Sequence, residues 1–180
     1  MVDPTGLAVW LRARELASFP SKAGVHTFLL IIPDNPKEFN NESKFTLGAY
    51  NNAESDTLEK RKNDTTDLNW KKEDLKKSWR VPTPEGLSDT EFINKILDSY
   101  DQYENNSRNY EPFPSTEKNQ GNCNNFTTGL LEGGGVNENF FNDKNPSGFN
   151  PGLGNPLPEM LGKENAGNST SEKVMKEAGE

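Results

Sequence analysis

One cysteine and one histidine occur in the 180 residues, and a thiol beside an imidazole is the smallest side-chain set that performs covalent acyl transfer. Cys123 lies in Asn122-Cys123-Asn124-Asn125-Phe126, where a polar loop turns into a short apolar helix pattern. His26 lies in Gly24-Val25-His26-Thr27-Phe28-Leu29-Leu30-Ile31-Ile32, at the start of a β-prone run. A thiol attacks as thiolate, and two neighbours favour that form: the positive end of a helix dipole and an adjacent imidazolium. Cys123 at a helix start with His26 on a strand supplies both. The imidazole would take or share the thiol proton and later protonate the leaving group. A third polar group normally orients the ring, and Tyr50 and Asn51 are the candidates. The oxyanion of a tetrahedral intermediate would be held by the Cys123 amide together with Gln120 or Asn122.

The competing reading is structural. A single cysteine in an arbitrary chain is most often a small buried hydrophobe, and a histidine on an apolar strand is most often a satisfied core residue. The polar surroundings of Cys123 move the balance toward catalysis, and His26 gains weight as its partner. One Cys and one His cannot supply the three or four soft ligands of a typical zinc site, so neither metal nor other cofactor is expected. A formal net charge of -8 and a pI near 4.8 oppose a phosphate-binding surface, which argues against nucleic acid as a partner. The lysines between residues 60 and 77 are interleaved with acidic residues and read as a solvated face. A nuclease or deaminase would need a metal that this inventory does not support. No run approaches the ~20 apolar residues of a membrane span, and no export-signal pattern opens the chain.

The elements that must position the pair are legible in part. The hydrophobic fraction of 31% and mean hydropathy of -0.92 imply that one domain carries substantial loop or tail. Residues 8 to 19 fit helical and extended spacing equally. Val25 to Ile32 reads as a mostly buried strand ended by Pro33-Asp34-Asn35-Pro36. Lys44 to Tyr50 reads as an antiparallel partner across a long connection, and a pairing near Ile32 and Lys44 brings Tyr50 and Asn51 toward His26. Residues 52 to 80 read as a charged, solvated insertion with a short helix. Ser88-Asp89-Thr90-Glu91 is a capping box, which predicts a helix from about Asp89 to Tyr103 with Phe92, Ile93, Ile96, Leu97 and Tyr100 on one face. Residues 104 to 121 read as polar loop. A second helix opens at Asn122-Cys123, turns Phe126, Leu130 and Leu131 inward, and ends at Gly133-Gly134-Gly135. Beyond it, Pro and Gly are too frequent for regular structure, and residues 161–180 read as a disordered tail.

Two motifs carry resemblances. Asp3-Pro4-Thr5-Gly6-Leu7 resembles the Asp-Pro-x-Gly-Leu signature that closes the core of Rhs and YD-repeat proteins, beyond which a variable toxin domain begins. That resemblance implies that residues 1–7 end an Rhs-type core and that residues 8–160 form a toxin domain. It also implies delivery into a target cell or secretion as the tip of a larger polypeptide, a parent Rhs core and an immunity protein. His26-Thr27-Phe28-Leu29-Leu30 followed by Asn122-Cys123-Asn124-Asn125-Phe126 is similar to the circularly permuted papain-like group, which includes lecithin-retinol acyltransferase-like proteins and PPPDE peptidases with an Asn-Cys-x-x-Phe motif. It implies an α+β fold, a small antiparallel sheet packed against helices, and thiol hydrolysis of a protein or peptide substrate. The acyltransferase-like branch usually has a second histidine, which this chain lacks, so peptidase or amidase stands ahead. The alternative is a non-enzymatic effector module that binds a target or immunity protein through its acidic surface.

Overall fold

Strand β1 (Ala8–Glu15) settles what its periodicity left open, because backbone pairing on both sides selects the extended form. Val9, Leu11 and Ala13 are buried on one face, while Trp10, Arg12 and Arg14 alternate onto the other. The remaining strands are β2 (Val25–Ile32), β3 (Phe45–Asn52), β4 (Thr57–Lys62), β5 (Ser78–Val81), β6 (Asn109–Tyr110) and β7 (Gln120–Gly121). The computed structural model describes residues 8–15, 24–70, 77–144 and 150–162. The Asp3-to-Leu7 motif and residues 163–180 of the expected tail lie outside the described residues.

The strands form one sheet in the order β5-β1-β2-β3-β4-β6-β7, antiparallel except for the β6–β7 pair. Phe28 faces Gly48 and Ile31 faces Phe45, so the β2–β3 hairpin across the long connection forms in the expected register. Carried two pairs further, that register sets Tyr50 beside His26. The sheet is larger than the small one expected. Residues 52 to 80, read as a solvated insertion with a short helix, do hold a one-turn helix α1 (Thr65–Leu68), but they also supply strand β4 and most of β5. Charge hid β4: Glu59, Lys60, Arg61 and Lys62 dominate its composition, while Leu58 is fully buried beneath them. Residues 104 to 121 likewise contribute β6 and β7 to the sheet edge.

Helix α2 (Asp89–Gln102) has both halves of its capping box: the Glu91 amide donates to Ser88 Oγ, and the Ser88 amide donates to Glu91 Oε2 at 2.8 Å. Helix α3 (Cys123–Gly133) starts at Cys123 with Asn122 as its cap. It ends before Gly135, whose φ of +97° is the left-handed turn that glycine adopts without strain. Both helices pack on the face of the sheet that carries Leu11, Leu29, Ile31, Leu47 and Ala49. Phe92, Ile93, Ile96, Phe126, Leu130 and Leu131 fill that layer, and each fully buried side chain contributes about 1.5–3 kcal/mol by removal from water. A Cβ on Gly133 would lie 2.1 Å from Ser99 Oγ, so glycine lets the two helices approach. The architecture is mixed α and β, compatible with an α+β class.

The Pro- and Gly-rich segment from residue 150 is docked. Leu157 and Met160 are fully buried against the helices, and Arg108 grips Glu159 through two bonds of 2.6 and 2.7 Å. Leu161 is 4% exposed, so the packed chain runs one residue into what was expected to be tail. Among the described residues no helix is long and apolar enough to cross a membrane.

Candidate active site

Successive residues of a strand point to opposite faces, and β2 uses that alternation to divide the site. Thr27 faces α3, where its hydroxyl donates to Asn124 Oδ1 at 2.9 Å. The Thr127 hydroxyl lies 2.8 Å from the Cys123 carbonyl oxygen and 3.1 Å from that of Thr27. These neutral bonds tie the first turn of α3 to the start of β2. They bring Cys123 Sγ to 3.8 Å from both the Val25 carbonyl oxygen and Asn124 Oδ1, close enough to His26 for each to shift the other's proton affinity. Cys123 and His26, paired in the sequence reading across almost a hundred residues, are adjacent in the fold, and each is 2% exposed.

His26 lies on the opposite face of β2. Its Nε2 is 3.0 Å from Asp67 Oδ2, which leaves Nδ1 for proton exchange with the thiol. Its ring stacks on Phe28 at a centroid distance of 5.9 Å and tilts against Tyr50 at 4.6 Å. Trp70 meets Phe28 edge-on and carries the Arg12 guanidinium on its own ring, which closes the wall beside the imidazole. Gly48 makes room for this arrangement. A Cβ there would sit 3.3 Å from Asp67 Oδ2 and 3.5 Å from His26 Nε2.

Asp67 is the carboxylate that sequence reasoning missed. It stands on α1, which Asp64 caps by accepting from the Thr66 amide, and it is 2% exposed. Three donors converge on it: His26 Nε2 and the Tyr50 hydroxyl on Oδ2, and Arg14 Nε on Oδ1 at 2.8 Å. Tyr50 thus reaches the site as expected from the hairpin, with its hydroxyl on Asp67. Asn51 does not join it: it is exposed, and its amide donates to Asp56 Oδ1 at 3.2 Å. The period of two in β3 turns neighbouring side chains to opposite faces, so one strand position brings Tyr50 in and sends Asn51 out.

Two residues were expected to hold an oxyanion, and the structure gives them different surroundings. The Asn122 side chain caps α3: its oxygen accepts from the Asn124 and Asn125 amides, and its Nδ2 donates to the Pro112 and Pro151 carbonyls. Both of its amide hydrogens are occupied by backbone. Gln120 Oε1 accepts from the Ser115 amide at 3.1 Å, and its Nε2 has no partner among the described residues. The Cys123 amide is the first of the helix and is not used by the cap.

The electrostatics favour an ion pair. Burial alone would push the Cys123 thiol up, but the neighbouring imidazolium and hydrogen bonds from the Thr27 and Asn124 amides bring it below the usual thiol range. Burial alone would strip the proton from His26; the Cys123 thiolate and Asp67 reverse that and raise it to about 9. Asp67 is pushed up by burial and pulled further down by His26, Tyr50 and Arg14, so it remains a carboxylate. Burial, and then the thiolate charge, hold the Tyr110 phenol above its usual range, which locates Tyr110 near the sulfur. Between the two shifted values the pair exists as thiolate and imidazolium, the form that attacks a carbonyl carbon and then protonates a leaving group.

Among the described residues no group of three or more His, Cys, Asp or Glu side chains has the arrangement of a metal site. No family model, no curated protein and no solved structure matches the chain.

Proposed function

We propose that the chain is a cysteine hydrolase of the peptidase or amidase type, with Cys123 as nucleophile, His26 as proton carrier and Asp67 as the group that orients the ring. The observation that carries this reading is the imidazole bracketed between a carboxylate at 3.0 Å on Nε2 and a buried thiol on its other side. The order of the parts, histidine strand before cysteine helix, supports the permuted papain-like reading of the fold. In the first half-reaction the Cys123 thiolate adds to the carbonyl carbon. The resulting oxyanion is held by the Cys123 amide and Gln120 Nε2. His26 gives its proton to the leaving amine as the C–N bond breaks, leaving an acyl thioester. Water then adds to that thioester while His26 accepts its proton. The C–S bond breaks, the acid departs and the thiolate and imidazolium are restored. The motif at Asp3 to Leu7 supports a role as the effector tip of a larger Rhs-like polypeptide, with an immunity protein as partner.

A second reading draws on the burial of the thiol, 2% exposed: a non-enzymatic binding module in which Cys123, His26, Asp67 and Tyr50 only support the core. Expression in bacterial cells separates them. The parent chain is expected to arrest growth, and Cys123→Ala, folded to the same melting temperature, is expected to relieve that arrest fully. A folded Cys123→Ala chain that arrests growth as strongly as the parent overturns the hydrolase. The thiolate ultraviolet absorbance, taken as the difference between parent and Cys123→Ser, is expected to titrate below the ordinary thiol value of about 8.5.

A further inference from the structure

The buried carboxylate of the site carries more donors than an orienting role needs. Asp67 receives the ring of His26, and it also receives Arg14 from β1 and Tyr50 from β3. Arg14 is opposite His26 in the β1–β2 register, so the guanidinium and the imidazole extend from paired positions to the two oxygens of one carboxylate. The Arg14 side chain is 18% exposed and that of Asp67 1%. Two cations, Arg14 and the imidazolium, then face two anions, Asp67 and the Cys123 thiolate, within one buried cluster.

We infer that Arg14 and Tyr50 form a clamp on Asp67 that sets the protonation of the Cys123–His26 pair, with Arg14 neutralising the carboxylate so that the thiolate and imidazolium are held without a net buried charge. The inference rests on the hydrolase reading for its catalytic meaning and on geometry for its physics. Without Arg14 the full charge of Asp67 falls on its neighbours. An uncompensated anion beside His26 holds the ring proton more tightly, and the same anion makes a nearby thiolate harder to form. Both changes oppose turnover: the nucleophile forms later on the pH scale, and the acid releases its proton less readily. Tyr50 acts in the same direction through a neutral hydrogen bond, and its effect is smaller.

Among the described residues the other charged or titratable groups around the cluster are four, of which Arg12 lies over the Trp70 ring at 5.2 Å, on the far side of Phe28 from the imidazole. Asp64 bears on the Tyr50 phenol, Arg61 lies over the Tyr50 ring at 4.9 Å, and Tyr110 lies near the sulfur. None of these touches Asp67, whereas Arg14 and Tyr50 do. Both are positioning residues, because they act on the thiol and the imidazole through Asp67.

The single histidine and single cysteine make the test direct. The ring resonances of His26 report one limb by NMR titration, and thiolate absorbance reports the other. Arg14→Met and Arg14→Gln are expected to move both limbs upward by on the order of one pH unit. Arg14→Lys, which keeps the charge, is expected to return both limbs to the parental positions. Tyr50→Phe is expected to move both upward by less. Limbs that stay in place in a folded Arg14→Met or Arg14→Gln chain overturn the clamp. If neither neutral variant folds, Tyr50→Phe decides: an upward shift sustains the clamp, and unmoved limbs overturn it. If the parental thiol titrates like a free one, the hydrolase reading fails, and the His26 limb still reports on Arg14.

Discussion

Two buried polar networks meet at the start of β2, one on each face, and they are built from different chemistry. The network around Thr27, Asn124 and Thr127 is neutral and bonds side chains to backbone and to one another. The network around His26, Asp67, Arg14 and Tyr50 is charged and bonds side chains only to side chains. Neutral hydrogen bonds have short reach and strict geometry, so the first network fixes where α3 sits. Charges act over longer distances and alter proton affinities, so the second decides what the sulfur and the ring carry. One residue of register separates the two tasks. Position and protonation can therefore be disrupted independently.

The largest effect is expected from Asp67→Asn. It removes the charge that holds the imidazolium, presents an amide hydrogen to the ring and leaves Arg14 without its partner. Activity is expected to fall roughly 10²-fold or more, and the His26 titration is expected to move to lower pH. Growth-arrest assays and NMR titration check both, and an Asp67→Asn chain with parental activity breaks the division of labour. In the parent, activity is expected to decline as pH rises through about 9, where the raised imidazolium loses the proton the leaving group needs. Rate measurements across that range would show the limb.

Thr27→Val tests the other network. It preserves shape and deletes the hydroxyl that donates to Asn124, at a cost of about 1–3 kcal/mol. Chemical denaturation reads that loss, while the His26 titration is expected to stay where it was. A displaced titration in Thr27→Val would merge the two networks into one. The smallest effect lies away from both. Glu132 on α3 has a buried oxygen with no hydrogen-bond partner among the described residues, and burial followed by the charge of Glu138 pushes its carboxyl up to about 7. A carboxyl raised in the folded state favours folding while protonated, and that contribution is lost as pH rises from the ordinary carboxylate range through about 7. Discounted for partial exposure, Glu132→Gln is expected to stabilise the chain by about 1 kcal/mol above pH 7 and to flatten the melting curve's pH dependence below it. Thermal melts at several pH values measure this.

The parts of the site built from local signals were legible in the sequence. The β-branched run ending at Pro33 located His26, the Asn122 context located the helix start at Cys123, and the Ser88 box located α2. Asp67 was not legible, because nothing local separates it from the other acidic residues of a chain that has 28. What selects it is tertiary: the β3–β4 hairpin returns the chain over His26, and α1 lowers one carboxylate into the space that Gly48 leaves open. Asn122 was legible as important and misread in kind. A short polar side chain before an apolar helix signals a cap as strongly as an oxyanion donor, and here the cap uses the whole amide. The segment 8 to 19 stayed open because period-two and period-3.6 patterns coincide over so few turns; pairing with β2 and β5 makes residues 8–15 a strand, and residues 16–19 lie outside the described residues.

The docked segment after residue 150 has a consequence in time. Its carbonyls at Pro151, Gly152 and Asn155 accept the side-chain amides of Asn122, Asn124 and Asn125, the residues that flank the thiol. A ribosome adds those carbonyls some thirty residues after it has added the cysteine. The first turn of α3 therefore emerges from the ribosome ahead of the carbonyls that its asparagines bind, and the seat of Cys123 is completed only when those carbonyls follow. Among residues 8–162 the cap around Cys123 is thus one of the last parts to close as the chain is made.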